Sequence, residues 1–107
     1  MRRILFICSR NRLRSPTAEQ VFAGYPGIEV ASAGLAPDAE ERLTPEHLEG
    51  VDTVFVMERA HRAKLMRDFG RHIRSIRVIC LDIPDRYAYM QPELVDILRA
   101  RVTPHLR

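Results

Sequence analysis

The stretch "ILFICSRNRLRSP" places one thiol, Cys8, and three guanidinium groups, Arg10, Arg12 and Arg14, within seven residues. A thiolate is a nucleophile, and arginine carries a planar fork of donors that grips two phosphate oxygens at once. The Cys-x5-Arg spacing says little alone. With arginine at 16 of 107 positions, a cysteine meets one six places on about one time in seven by chance. The flanks supply the specificity: an apolar run, Ile4 to Cys8, leads in, and Ser15-Pro16 leads out with residues that open helices. A tight loop between strand and helix turns successive backbone N–H groups inward beside the positive end of a helix dipole, a nest for one tetrahedral anion. Arg14 would hold that anion. Cys8 would lie under its phosphorus, kept as thiolate by the helix terminus and Arg14. The plainer alternative is a core cysteine followed by an exposed basic turn. Cys80, inside "RVICLDI" with no basic loop after it, fits that plainer description.

The elements that must position these groups follow from hydrophobic runs and punctuation. Ile4–Cys8 reads as a continuous apolar strand, the kind found in the middle of a sheet covered on both faces. Ser15 is expected as the N-cap and Pro16 as the first residue of a helix running to about Gly24. After the turn "YPG", Ile28–Ser32 is a second strand and "AGLAPDAEER" a loop. Thr44-Pro45 repeats the cap-plus-proline signal and opens a short helix ending near Gly50. "DTVFVM" is a β-branched strand, and "ERAHRAKLMRDFG" a helix with Leu65 and Phe69 four apart, closed by Gly70. "IRVICLDI" is another buried strand, and "QPELVDILRARV" a last helix beginning at Pro92. This alternation predicts an α/β three-layer sandwich: a four-stranded parallel sheet, right-handed crossovers and helices on both faces. Ligands of such sheets bind beyond the carboxyl ends of the strands, where Cys8 and the loop after Asp82 lie.

The 107 residues suit one domain, and 46% hydrophobic content argues against disorder. No apolar run approaches the roughly 20 residues of a bilayer span, and the one behind "MRR" is too short for a secretory leader, so the protein is expected to be cytoplasmic. Two cysteines make no disulfide framework, and the scattered His47, His61, His72 and His105 give no zinc-ligand spacing, so no metal is expected. The net charge is +3, and 16 of the 17 basic residues are arginine, interleaved with acids along most of the chain. That describes a solvated mixed-charge surface better than a nucleic-acid interface, and nucleic acid is not an expected partner.

On these motifs the chain resembles the low-molecular-weight protein tyrosine phosphatases, most of all their short bacterial members. The family's loop, C-x-x-N-x-x-R-S-P followed by Ala-Glu, is met by Cys8, Asn11, Arg14, Ser15, Pro16 and Ala18-Glu19. "SAG" at Ser32–Gly34, "DTVFVME" at 52–58 where the family ends a strand in Met-Asp, and an aspartate loop near residue 85 follow in order. The resemblance implies one phosphatase-like domain over residues 1–107. It implies Cys8 as the nucleophile of a phosphocysteine intermediate, Arg14 as ligand of the equatorial oxygens, and Ser15 as hydroxyl donor to the thiolate. Asn11 would stabilise the loop, since asparagine tolerates left-handed backbone. Ser15 and Asn11 read equally as helix cap and turn residue. Ser9, Arg10, Arg12 and Leu13 complete the substrate-binding loop.

Expelling an alkoxide or phenoxide requires a proton donor near the leaving oxygen. The family takes it from an Asp-Pro-aromatic loop, and "LDIPDRYAYM" offers Asp82 and Asp85. Asp85 is preferred because it stands two residues before an aromatic, although Arg86 replaces the proline; Asp82 would then cap the turn or act as a structural acceptor. Tyr87, and Tyr89 with it, would wall the pocket or pack against core or rim. Other departures are Arg10 for the family's glycine, Arg12 for a small or aliphatic residue, and Leu13 for a second cysteine able to protect the nucleophile by a disulfide. Arg10 and Arg12 would make the mouth cationic, or else point to solvent. The segment after "SAG" is short, which reduces one pocket wall.

The expected activity is a cysteine-dependent hydrolysis of phosphomonoesters, without cofactor, acting on a phosphorylated protein or small phosphomonoester. Three competing readings use the same loop. A thiol-linked arsenate reductase needs further cysteines near the site, and only Cys80 is available. A sugar-transport phosphocarrier has no need of Arg14. A non-catalytic phosphate- or nucleic-acid-binding module would keep the nest without the acid.

Overall fold

Strand β1 (Arg2–Cys8) occupies the interior of the sheet, flanked by β2 (Ile28–Gly34) and β3 (Thr53–Val56), with β4 (Arg77–Cys80) outermost beyond β3. The computed structural model describes residues 1–106. All three pairings are parallel, giving the order β2-β1-β3-β4. The register aligns Cys8 with Gly34, Ile7 with Val56, and Val56 with Cys80, so the carboxyl ends of all four strands form one rim. The chain reverses its direction of travel across the sheet between β1 and β3. That switch point is where crossover helices diverge and leave a crevice.

Helix α1 (Arg14–Phe22) and helix α4 (Pro92–Val102) cover one face; the short α2 (Pro45–Leu48) and α3 (Arg59–Phe69) cover the other. The alternation of β1 makes both cores. Ile4, Phe6 and Cys8 point towards Ala18 and Phe22 of α1 and Leu94, Leu98 and Val102 of α4. Leu5 and Ile7 point the other way, to Leu48, Leu65 and Ile73. Phe6 stacks between Phe22 and Phe55, with centroids 5.9 and 5.4 Å away. Leu94, Leu98 and Val102 recur every four residues, one stripe of α4, and each is fully buried. The three-layer expectation holds.

Several boundaries move, for identifiable reasons. Strand β2 runs on to Gly34 rather than stopping at Ser32, because it keeps pairing with β1 as far as Cys8. Strand β4 ends at Cys80, short of "LDI": Asp82 takes a left-handed backbone, φ 55°, and leaves the ladder. Helix α2 stops at Leu48 and α3 at Phe69. Gly70 does not close α3 in the left-handed conformation; at φ −51° it continues into a 3-10 turn over Gly70–His72. Ser15 is not the N-cap of α1. The helix starts two residues earlier than expected, at Arg14 after Leu13, and no side chain caps it. Cys80 is not sealed in the core as expected; it is half-buried, beside Arg59 and Arg62 of α3. Among the described residues no helix is long and apolar enough to cross a membrane, and no group of three His, Cys, Asp or Glu side chains stands ready to hold a metal ion.

Candidate active site

A cavity of about 580 Å³ opens at the carboxyl rim where β1 and β3 diverge, with Cys8 and Arg14 in its lining. Cys8, the last residue of β1, is 3% exposed. Its Sγ accepts the Asn11 backbone N–H at 3.3 Å and lies 2.9 Å from Ser15 Oγ. The Asn11 side-chain amide donates to Ser15 Oγ at 2.9 Å. With that lone pair taken, the Ser15 proton is free to donate to the sulfur. Two donors thus converge on one sulfur.

The loop folds this way because Asn11 adopts φ 57°, the left-handed region expected of it, which turns its N–H back onto Cys8. Ser15 is turned inward by the same network, so it orders the sulfur instead of capping the helix. No side chain therefore caps the N-terminus of α1.

Arg14, the first residue of α1, is buried to 2% exposure. Its Nη1 donates to Glu58 Oε2 at 2.6 Å and to the Ile83 carbonyl at 2.8 Å. That leaves Nε and Nη2 as the edge of the fork offered to an anion. Asp85 Oδ1 lies 3.6 Å from Arg14 Nε and also lines the cavity. Thus Cys8, Arg14 and Asp85 line one crevice at the carboxyl rim, and Glu58, just beyond β3, reaches it through Arg14.

The loop after "SAG" straps this arrangement from outside. Leu35 N–H donates to the Cys8 carbonyl at 3.0 Å, Ala36 N–H to the Ser9 carbonyl at 2.8 Å, and Glu40 N–H to the Arg10 carbonyl at 3.0 Å. Gly34 makes the approach possible. A Cβ there would come within 2.6 Å of the Ser9 carbonyl oxygen and of Ala39 Cβ. The "SAG" signature is thus a steric requirement of the loop beneath it. Ser32 Oγ bonds Glu19, tying that signature to the Ala-Glu pair of α1.

The other anticipated residues divide. Ser9, Arg10, Arg12 and Leu13 line the cavity with Ala36. Arg10 and Arg12 line the cavity yet are exposed to solvent, and each has an acid beside it: their Nε atoms lie 3.9 Å from Asp38 and 3.3 Å from Glu40. Tyr87 is not in the cavity lining. It is half-buried against the α1–α4 core, with the Arg86 guanidinium 5.7 Å from its ring centre, because the loop after Ile83 turns its ring inward. Asp82 contributes its carbonyl to Arg101 Nη1 at 2.7 Å and its side chain to a neighbouring surface cavity.

Two residues of the site were not singled out from sequence. Glu58, at the N-cap of α3, pairs with Arg14; its only sequence signal was an acid at a strand's carboxyl end, at the position where the family has aspartate. His61 is 5% exposed, and its Nε2 is 2.9 Å from Ser9 Oγ while its Nδ1 accepts the Glu58 N–H at 3.1 Å. Burial, then the nearby Arg14 charge, hold its pKa below the ordinary imidazole value.

Comparison with known proteins agrees with this geometry. The family model described as low molecular weight phosphotyrosine protein phosphatase matches residues 3–50, the span that holds the cysteine loop and "SAG". No curated protein matches by sequence. Solved structures match over nearly the whole chain. The YwlE arginine phosphatase of Geobacillus stearothermophilus is 23% identical with a TM-score of 0.78, covering 99% of this chain and 93% of its own. A low molecular weight protein tyrosine phosphatase of T. tengcongensis gives 20% and 0.80, covering 99% and 98%. Wzb of Vibrio vulnificus, solved with benzylphosphonate, gives 22% and 0.78, covering 97% and 96%. The first half of the chain, with its cysteine loop, thus matches the low molecular weight phosphotyrosine protein phosphatase model, and the fold along its whole length is that of these solved structures.

Proposed function

We propose that this chain hydrolyses phosphomonoesters through a phosphocysteine intermediate, with Cys8 as nucleophile, Arg14 as phosphate ligand and Asp85 as general acid and base. The observation that carries the reading is Cys8 Sγ, held by Asn11 and Ser15 in a cavity whose walls bring Arg14 and Asp85 to it. The phosphoryl group seats in the loop, its oxygens facing backbone N–H groups and the Nε–Nη2 edge of Arg14. Cys8 Sγ attacks phosphorus as the bond to the leaving oxygen breaks, and Asp85 gives that oxygen its proton. The Asp85 carboxylate then takes a proton from a water that attacks the phosphorus. The P–S bond breaks, inorganic phosphate leaves, and the thiolate is restored.

The substrate is a phosphorylated protein or small phosphomonoester, with phosphotyrosine the class suggested by the family. One observation favours a second reading, a phosphorylated guanidinium as in the arginine phosphatase above. Tyr87 is turned into the core, while Asp85 sets a carboxylate in the cavity that would suit a cationic leaving group. Leu13 at the position of a protecting cysteine leaves the nucleophile dependent on reducing surroundings, which supports a cytoplasmic location.

Hydrolysis of para-nitrophenyl phosphate by the wild type and by Cys8→Ser, with acid trapping of the phosphoenzyme, tests the reading. Turnover and a trapped phosphothiol in the wild type, both lost in C8S, are expected. Wild-type protein without turnover on this ester or on phosphotyrosine and phosphoarginine peptides would refute it.

A further inference from the structure

His61 lies outside the loop that binds phosphate, yet both of its ring nitrogens are committed. A backbone N–H can only donate, so the Glu58 N–H at 3.1 Å requires Nδ1 to carry no proton. The neutral ring must then be protonated at Nε2, and that N–H points at Ser9 Oγ, 2.9 Å away. The Ser9 oxygen is thereby an acceptor. Its own proton is left for another partner, and Ser9 lines the cavity. Glu58 Oε2, at 3.8 Å from Nε2, is too far to compete for the same N–H.

We propose that His61 is a positioning residue: it holds the Ser9 hydroxyl so that its proton is donated to an oxygen of the phosphoryl group bound above Cys8. This rests on the reading of the cavity as a phosphate site. Helix capping alone does not account for the arrangement. The chain contains a second histidine used the same way, since His47 at the start of α2 accepts the Thr44 N–H on Nδ1 at 2.9 Å. There the other nitrogen lies 2.9 Å from Glu41 on the surface, with no connection to the cavity. At α3 the same capping device is aimed into the site. The charged groups acting on the ring are Arg14 from α1, Glu58 and Lys64 from α3, and Asp85 from the loop after β4. Arg14 and burial keep it neutral, the form the geometry requires.

The test is the affinity for inorganic phosphate, measured by calorimetry so that it needs no turnover, in a cycle of Ser9→Ala, His61→Ala and the double variant. Loss of one hydrogen bond to a charged group predicts roughly tenfold weaker phosphate binding in each single variant. Because His61 acts through Ser9, the double variant binds no more weakly than S9A alone. His61→Gln, whose amide reaches the same hydroxyl, restores most of the affinity and serves if H61A folds poorly. His47→Ala lowers the melting temperature without altering phosphate affinity. In addition, ¹⁵N spectra show Nδ1 of His61 bare and Nε2 protonated. Additive losses in the cycle, unchanged affinity in both H61A and H61Q, or the opposite tautomer overturn the proposal. Wild-type protein that binds phosphate but does not hydrolyse esters refutes the hydrolase reading and leaves this one standing. No phosphate binding by the wild type sinks both.

Discussion

Arg14 Nη1 and Glu58 Oε2 meet at 2.6 Å although 44 residues separate them in the chain. The guanidinium is buried and the carboxylate is 42% exposed, so the acid fixes a cation that burial would otherwise penalise. It also consumes one end of the fork, so that the other end faces the cavity. The end of β3 thus decides how a residue of α1 presents itself to an anion.

Removing that acid should loosen Arg14 without removing its charge. Glu58→Ala is expected to lower kcat/KM for para-nitrophenyl phosphate roughly tenfold, a figure reduced for the solvent around the carboxylate. Glu58→Gln, which still accepts from Arg14, should retain most of the rate. Equal kinetics in E58A and wild type would show that Arg14 is fixed by the Ile83 carbonyl alone.

The two aspartates after β4 are separated by where they point. Asp85 lines the cavity beside Arg14, whereas Asp82 lines neighbouring surface cavities and gives only its backbone carbonyl to Arg101. A positioned general acid contributes on the order of 10²–10⁴-fold, most on poor leaving groups. Asp85→Asn should therefore slow phenyl phosphate hydrolysis by roughly 100-fold or more, with a smaller loss on para-nitrophenyl phosphate. Asp82→Asn should stay near wild type. Comparable losses on both esters would move the acid elsewhere.

Gly34→Ala tests the strap. The added methyl meets the Ser9 carbonyl and Ala39 at 2.6 Å and the Asn11 N–H at 3.0 Å, so the strap or the phosphate loop must shift. Overpacking of this kind costs about 1–3 kcal/mol, or a fall in Tm of roughly 5–15 °C. Added phosphate should raise the melting temperature of the variant less than that of the wild type. A variant that melts and responds to phosphate as the wild type does would show the strap to be dispensable.

His61 gives the fold a pH dependence of definite sign. Its pKa is lowered in the folded state from 6.5 by burial and Arg14. As pH falls below about 6.5, the unfolded chain takes up a proton that the folded chain resists. The stabilisation is complete above that value and is lost on acidification through the lower folded value. Denaturant titrations from pH 7.5 to 5 should show stability declining in the wild type and a flatter profile in His61→Gln. Parallel profiles would mean that other groups carry the acid sensitivity.

The two free cysteines show how far the chain's order of residues could be trusted. Cys8 was legible because its neighbours in sequence are its neighbours in space: strand, nest, arginine and helix all lie within a few residues, and local backbone geometry fixes them. Cys80 packs against the second core as its strand pattern implies, yet stays half-buried, because that pattern does not reveal that β4 is the edge of the sheet. Ser15 has two sequence readings, a cap because Ser-Pro opens helices and, through the family resemblance, a hydroxyl donor to Cys8. The closed loop leaves the helix uncapped and puts the hydroxyl 2.9 Å from the sulfur, where it also accepts from Asn11.

The sequence by itself determined the layered parallel fold, the rim on which chemistry occurs and the loop at that rim, because alternation of apolar runs and turn residues is a local property. Only the tertiary structure decided that Glu58 meets Arg14, that His61 reaches Ser9, that Asp85 rather than Tyr87 enters the cavity, and that Gly34 must have no side chain. Those contacts join residues from different crossovers. Their distances depend on how four strands register side by side, which no short stretch of the chain encodes.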